Sequence, residues 1–330
     1  APFRLAWAGR VRLPLRTMNS TPRILVTGGA GYLGAILVPA LLARGCAVTV
    51  VDNFMYGQTP LFDCCADDKL TIIRGDVRDE RLMLPLLKKA DVIMPLACLV
   101  GAPLCAQKSA EARAINIDAI LLLLKNAAKS QRFISPTTNS GYGVGQAGVF
   151  CTEETPMNPI SLYGVLKVEL EQALLAAGAV SLRLATVCGI SPRMRLDLLV
   201  NDFTYRAVTD RFVVLFEAHF KRNYIHVRDV ARAFLHALDH FDAMRGQPYN
   251  VGLSDANLSK LELCQEIQKQ VPDFTIMEAP IGKDPDQRNY IVSNAKIEAT
   301  GYRPQVSIQR AIAELIKGYQ IIRRNQHANV

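Results

Sequence analysis

The chain has 330 residues, half of them hydrophobic and 21% charged, with a formal net charge of +8. That is the profile of a globular protein, one large two-lobed domain or two domains sharing a cleft, and it carries no sign of disorder. No apolar run reaches the length of a membrane span, and the charge is too mild to argue for nucleic acid. Half of that charge comes from four arginines in the opening stretch APFRLAWAGRVRLPLRTM, which holds no acid. What remains suits an anionic small substrate.

Residues 1–20 are expected to be a leader outside the native fold, with Met18 as the natural start, although their arginines mimic a transit peptide. From Arg23 onward, short β-rich runs alternate with helical ones. RILVT, AVTVVD, LTIIRG, DVIMPLA, RFIS and SLRLA are apolar runs of strand length. Helical segments such as Arg113–Lys129 and Ser161–Ala177 lie between them, and AILLLL (Ala119–Leu124) and ALLAAGAV (Ala173–Val180) are expected to be buried helix. Alternation of this kind predicts an α/β fold, a doubly wound parallel sheet with helices on both faces. Beyond Thr186 the rhythm changes. GISPRMRLDLLVNDFTYRA is a loop entering a helix, KRNYIHVRDVARAFLHAL is expected to return to the main sheet, QPYNVG is a further strand, and the rest is helix-rich. The expected division is a first domain over 21–186, with 221–252 returning to it. A smaller, interleaved lobe is expected from 187–220 and 253–330.

Eight cysteines occur at irregular spacing, including the adjacent Cys64 and Cys65, and no C-x-x-C is present. Reduced thiols in a cytoplasmic enzyme are expected, without a metal site. His236 and His240 are four apart and could share a helical face as ligands. With no third ligand evident, two histidines on a solvated or half-buried helix is the favoured reading.

The stretch VTGGAGYLG, Val26 to Gly34, lies where the first strand ends and the first helix begins. Glycine is costly there, because it loses more backbone freedom on folding than any other residue. Gly28, Gly31 and Gly34 at three-residue intervals allow a tight turn, close approach of a pyrophosphate, and packing of helix on strand. AVTVVDN then supplies a second strand ending in Asp52 and Asn53, where an acid accepts hydrogen bonds from both ribose hydroxyls and repels the extra phosphate of NADP. The expected cofactor is NAD, held by Gly28, Gly31, Tyr32, Leu33, Gly34, Asp52 and Asn53.

SLYGVLK places Tyr163 and Lys167 on one helical face. A phenol titrates near pH 10, so service as a base near neutrality needs a shift of about three units, roughly 4 kcal/mol. A neighbouring ammonium and a cationic nicotinamide are the expected sources.

Together with GDVRD, LACLVGAP, SPTTNSGYG, RNYIHVRDVARA and YNVG, these motifs resemble the extended short-chain dehydrogenase/reductase family, in its nucleotide-sugar epimerase/dehydratase branch. The resemblance runs from about Arg23 to Arg323. It implies a Rossmann-type domain over 21–186 and a substrate-binding second lobe. Asp76 and Val77 would border the adenine, Leu96 and Ala97 would line the cofactor, and Thr138 would join Tyr163 and Lys167 as the catalytic hydroxyl. The 4,6-dehydratases of the family carry Asp-Glu after that threonine. Asn139 and Ser140 stand there instead, which removes the second acid/base pair that elimination of water requires. The cysteine of 3,5-epimerising relatives at the Ser140 position is absent too. Thr186 replaces an asparagine that holds the sugar diphosphate in many epimerases. Arg222 and Arg288 match diphosphate-clamping positions, and Arg193 and Arg195 could assist or could only cap a loop.

Asn139, Ser140 and Thr186, with the long stretches around them, resemble most closely the GDP-D-glycero-D-manno-heptose 4-dehydrogenases of bacterial capsule biosynthesis. The resemblance implies oxidation at C4 of a nucleotide-diphosphate sugar, with GDP-heptose as the favoured substrate. A 4-epimerase of UDP-hexose type uses the same residues and stays open, as does a non-catalytic NAD-binding protein. A homodimer, or a tetramer built on it, is implied through helices around Ala112–Lys129 and Asn158–Ala177.

Overall fold

The computed structural model describes residues 21–282 and 287–322. The expected leader over 1–20 therefore lies outside the described residues. Seven parallel strands form the main sheet: β1 (Arg23–Thr27), β2 (Ala47–Asp52), β3 (Leu70–Arg74), β4 (Val92–Pro95), β5 (Arg132–Thr138), and then β7 (Val180–Leu184) and β11 (Pro248–Val251). The short β6 (Phe150–Cys151) stands apart and pairs with β14 (Ile291–Val292). The order across the main sheet is β3-β2-β1-β4-β5-β7-β11, so the winding reverses between β1 and β4. A crevice opens at such a reversal, beyond the carboxyl ends of the strands.

Burial on both faces arises from the alternation of side chains along each strand. Ile24 and Val26 of β1 enter one core, with Leu37, Val38 and Leu41 of the helix Gly34–Ala43 and Phe234 of the helix Val227–Asp239. Leu25 enters the opposite core, with Met83, Ile120, Leu166 and Leu170. The second lobe has a core of its own, including Phe203, Leu263, Phe274 and Ile312. It carries a three-stranded sheet of β8 (Thr186–Cys188), β10 (Lys221–His226) and β12 (Asn257–Ser259), and a two-stranded sheet of β9 (Phe212–Leu215) and β13 (Thr275–Glu278).

Two sequence expectations change. Lys221–His226 does not rejoin the main sheet: it pairs in parallel with β8 and antiparallel with β12. The return to the first lobe begins with the helix Val227–Asp239 and finishes with β11 on β7. Apolar strand character does not name a pairing partner, and β8 continues β7 after a single residue, offering the nearer edge. ALLAAGAV is likewise not one helix. Its helix stops at Ala176, Gly178 turns the chain at φ +75°, and Val180 opens β7. All eight cysteines are among the described residues and each is a free thiol. Among the described residues no helix is long and apolar enough to cross a membrane, and no cluster of His, Cys, Asp or Glu could hold a metal. The rings of His236 and His240 stack 4.2 Å apart, and His236 Nε2 meets the Thr300 hydroxyl at 2.8 Å.

Candidate active site

A cavity of about 330 Å³ fills the crevice. Its wall is built from the segments that leave the strand ends: the glycine turn after β1, Asp52–Gln58 after β2, Gly75–Val77 after β3, Leu96–Ala102 after β4, and Pro136–Thr138 of β5. All the cofactor-contact candidates, Gly28, Gly31, Tyr32, Leu33, Gly34, Asp52, Asn53, Asp76, Val77, Leu96 and Ala97, reach this wall.

The glycines differ in what they accommodate. Gly28 sits at φ +69°, and a Cβ there would stand 2.6 Å from the backbone nitrogen of Ala97. At Gly34 a Cβ would collide with the carbonyl of Gly29. Gly31 meets only the Gly28 carbonyl, at 3.1 Å, so the space beside it belongs to the cavity. An open cradle of this kind at a helix N-terminus suits an anionic group. The Asp52 carboxylate braces the turn: Oδ2 accepts from the Ala30 amide at 2.9 Å and Oδ1 from the Phe54 amide at 2.8 Å. These residues fit a dinucleotide.

Tyr32 lines the cavity, but its hydroxyl faces away from it. The hydroxyl donates to the Gly189 carbonyl at 2.6 Å and accepts from Asn201 Nδ2 at 3.3 Å. Asn201 also donates to the Arg195 carbonyl at 2.8 Å, so the glycine turn and the Arg193–Arg195 loop are tied across the two lobes.

Tyr163 and Lys167 project from the helix Leu162–Ala176, whose N-cap Ser161 accepts from the Gly164 amide at 3.2 Å. Both line the cavity with Thr138. Lys167 is buried and donates to the Pro136 carbonyl at 3.2 Å. The Thr138 hydroxyl donates to Ser140 Oγ at 3.0 Å and accepts from the Ser140 amide at 3.1 Å. Arg288 donates to the same Ser140 hydroxyl. Burial pushes the Tyr163 phenol above its ordinary value and the Cys98 thiol adds to this, while the Arg195 and Arg288 guanidiniums pull it back. Two guanidiniums thus join Lys167, one turn along the helix, among the cations near this phenol.

Thr186, Arg193, Arg195 and Arg288 also line the cavity. Arg195 pairs with Asp197 at 2.5 Å, and the Arg193 guanidinium lies 3.9 Å from the centroid of the Tyr56 ring. Two expected substrate contacts do not reach the wall. Asn139 is 1% exposed, with its side chain buried behind the turn it begins. Arg222 is 3% exposed and lies over the Tyr290 ring at 5.9 Å, because its strand is covered on both faces.

Three contributors were not read from the sequence. Tyr56 and Cys98 both line the cavity. Asn116 is fully buried in a π-helical turn, Ala114–Asp118, a device common at functional sites. Its amide clamps the cavity-lining Leu99, accepting from the Leu99 amide at 2.8 Å and donating to its carbonyl at 2.9 Å.

Comparison with known proteins agrees with this geometry. Residues 24–252 match the NAD dependent epimerase/dehydratase family. The chain is 26% identical over 326 residues to UDP-glucuronic acid decarboxylase 1 of Arabidopsis thaliana, covering 94% of this chain and 72% of that one. It is 27% identical to the UDP-glucose 4-epimerase of Corynebacterium glutamicum, covering 88% and 94% respectively. The crystal structure of DesIV, a dTDP-glucose 4,6-dehydratase from Streptomyces venezuelae with NAD and TYD bound, superposes with a TM-score of 0.79 at 25% identity, covering 90% of this chain and 97% of that one. The chain belongs to the NAD-dependent epimerase/dehydratase family of extended short-chain dehydrogenases/reductases.

Proposed function

We propose that this protein oxidises C4 of a nucleotide-diphosphate sugar, GDP-manno-heptose, in the biosynthesis of a bacterial surface polysaccharide. The observation that carries the reading is the convergence of Thr138, Tyr163 and Lys167 on one wall of the cavity, with Asn139–Ser140 after the threonine in place of an acid pair. NAD, when bound, supplies the hydride acceptor. Tyr163 takes the proton of the C4 hydroxyl at its phenolic oxygen, and Thr138 hydrogen-bonds the same substrate oxygen. Lys167, anchored on Pro136, holds its remaining N–H groups toward the cofactor ribose. Arg193, Arg195 and Arg288 present planar, forked donors suited to a diphosphate, and Thr186 is the neighbouring sugar contact. Ser140 and Arg288, hydrogen-bonded to each other and through Ser140 to Thr138, couple that clamp to the reacting oxygen.

A UDP-hexose 4-epimerase is the second reading, favoured by the C. glutamicum relative. It uses the same residues and returns the hydride to the opposite face of the ketone. Mass spectrometry after incubation with NAD and GDP-manno-heptose, UDP-glucose or dTDP-glucose separates the two. A product lighter by two hydrogens is the expected result, and an unchanged mass with a new retention time would replace it with the epimerase. A homodimer through the helices around Ala112–Lys129 and Asn158–Ala177 completes the proposal, supported by Leu121 and Val165, which are 36% and 45% exposed there.

A further inference from the structure

Behind the reacting residues lies a buried polar cluster that the proposed chemistry does not use. Glu171 lies one helical turn beyond Lys167 and two beyond Tyr163, on the same face of the helix. Its carboxylate collects donors from two strands. Oε1 accepts from Arg183 Nη2 at 2.7 Å and Nε at 3.0 Å. Oε2 accepts from the Ser181 hydroxyl at 2.7 Å and the Thr137 hydroxyl at 2.9 Å. Arg183 Nη1 continues to the Tyr142 hydroxyl at 2.9 Å and the Glu153 carbonyl at 3.0 Å, and Tyr142 donates to Asn250 Oδ1 at 2.8 Å. The side chains of Glu171 and Arg183 are each 6% exposed.

The helix holds two consecutive residues of β5. Lys167 holds the Pro136 carbonyl and Glu171 holds the Thr137 hydroxyl, while Thr138, next along the strand, lines the cavity with Tyr163. A slip of the helix along β5 would break both bonds at once. We infer that Glu171 and Arg183 are positioning residues, whose buried pair fixes the register of the Tyr163 helix against β5 and so the placing of Tyr163 and Lys167 relative to Thr138. The inference rests on the proposed roles of those three residues. A buried ion pair is a weak device for stability alone, since desolvation offsets much of its attraction. Four donors on one carboxylate, drawn from two strands, define a direction as well as an energy.

The consequence is electrostatic. The titratable and charged groups around the Tyr163 phenol are Cys98, Cys105, Arg195 and Arg288, with Lys167 one turn along its own helix. Tyr163 and Lys167 ride on the same helix, so releasing it carries the phenol away from Arg195 and Arg288, which stay on their own elements, and the phenol should titrate higher.

The test is Glu171→Gln in the NAD-loaded protein. Phenolate absorbance is titrated in the near ultraviolet, and the same titration of a protein also carrying Tyr163→Phe is subtracted so that the other tyrosines cancel. Turnover is monitored with GDP-manno-heptose and with UDP-glucose. The expected result is a Tyr163 titration moved up by about one unit. Turnover at neutral pH should fall about 10–100-fold, with the KM for the sugar nucleotide held within about twofold. A lowered melting temperature with the titration and the turnover per folded molecule unmoved would reduce the pair to a stabilising role and overturn the inference. Should Glu171→Gln not fold, Thr137→Val against Thr137→Ser asks the same question. Valine should shift the titration upward and serine restore it, and a valine variant that titrates like the wild type would overturn the inference. Full turnover by Tyr163→Phe overturns the proposed function and this inference together, whereas an unmoved titration beside an inactive Tyr163→Phe overturns the inference alone.

Discussion

Replacing Gly28, Gly31 and Gly34 with alanine, one at a time, separates a glycine kept for the fold from one kept for the ligand. At Gly28 the new Cβ would stand 2.6 Å from the Ala97 nitrogen, about 0.8 Å short of ordinary contact, and the residue would remain at φ +69°. The left-handed backbone costs about 1–2 kcal/mol, and moving the chain after β4 costs a further 1–3 kcal/mol or so. Together that is about 2–5 kcal/mol from a total stability on the order of 5–15 kcal/mol. Gly34→Ala drives its methyl into the Gly29 carbonyl and should cost a comparable amount. Gly31→Ala meets a single atom at 3.1 Å, so its cost to the fold should stay below about 1 kcal/mol. Its methyl would instead occupy the cradle and weaken NAD binding about 10–100-fold, or 1.4–2.8 kcal/mol. Urea unfolding reads the first quantity and isothermal titration calorimetry with NAD the second. Gly31→Ala losing as much stability as Gly28→Ala, while the folded fraction binds NAD at full affinity, would refute the reasoning.

Tyr163→Phe should leave NAD affinity intact and lower turnover by about 10³-fold or more, because the proton of the C4 hydroxyl loses its acceptor. A near-normal rate would remove Tyr163 from the mechanism. Burial holds His226 and His236 down at about 4, so the unfolded chain binds more protons than the folded one from there up to the ordinary value near 6.5. Their contribution to stability is complete above that range and is lost as the pH falls through it. Urea midpoints measured from pH 7 to pH 4 should decline, and His236→Gln should flatten part of the slope. Leu121→Glu combined with Val165→Glu should convert a dimer to monomers by sedimentation velocity, and an unchanged sedimentation coefficient would place the interface elsewhere.

Features set within a few residues could be read before the fold was known. Val26–Gly34 and Tyr163–Lys167 were legible because a turn's φ requirement and a helix's period are local properties. The partner of Lys221–His226 was not, since strand character leaves the neighbour open. Arg222 lies off the cavity wall, and its strand, buried on both faces, gives no inward side to read from polarity. Asn139 lies where β5 passes into a tight helical turn, and there side-chain direction depends on the turn's own dihedrals. Tyr56 sits in the loop after β2, and its ring meets Arg193, which arrives from a distant part of the chain. Glu171 did carry a signal, as the next residue at helical spacing after Tyr163 and Lys167, but its meaning depended on Thr137 and Ser181 arriving from two separate strands.

Asp52 shows how this architecture resists redesign of cofactor preference. The carboxylate proposed to meet the ribose also pins the Ala30 amide of the glycine turn and the Phe54 amide of the next loop. Exchanging it for a neutral or basic side chain, the obvious first step toward a phosphorylated dinucleotide, would release both segments at the same moment. A variant accepting NADP therefore needs a substitute acceptor for those two amides as well as a new charge. Rescue of a poor Asp52 variant should come from second changes in the Gly28–Gly31 turn and the Asn53–Gln58 loop more often than from the wall that meets the added phosphate.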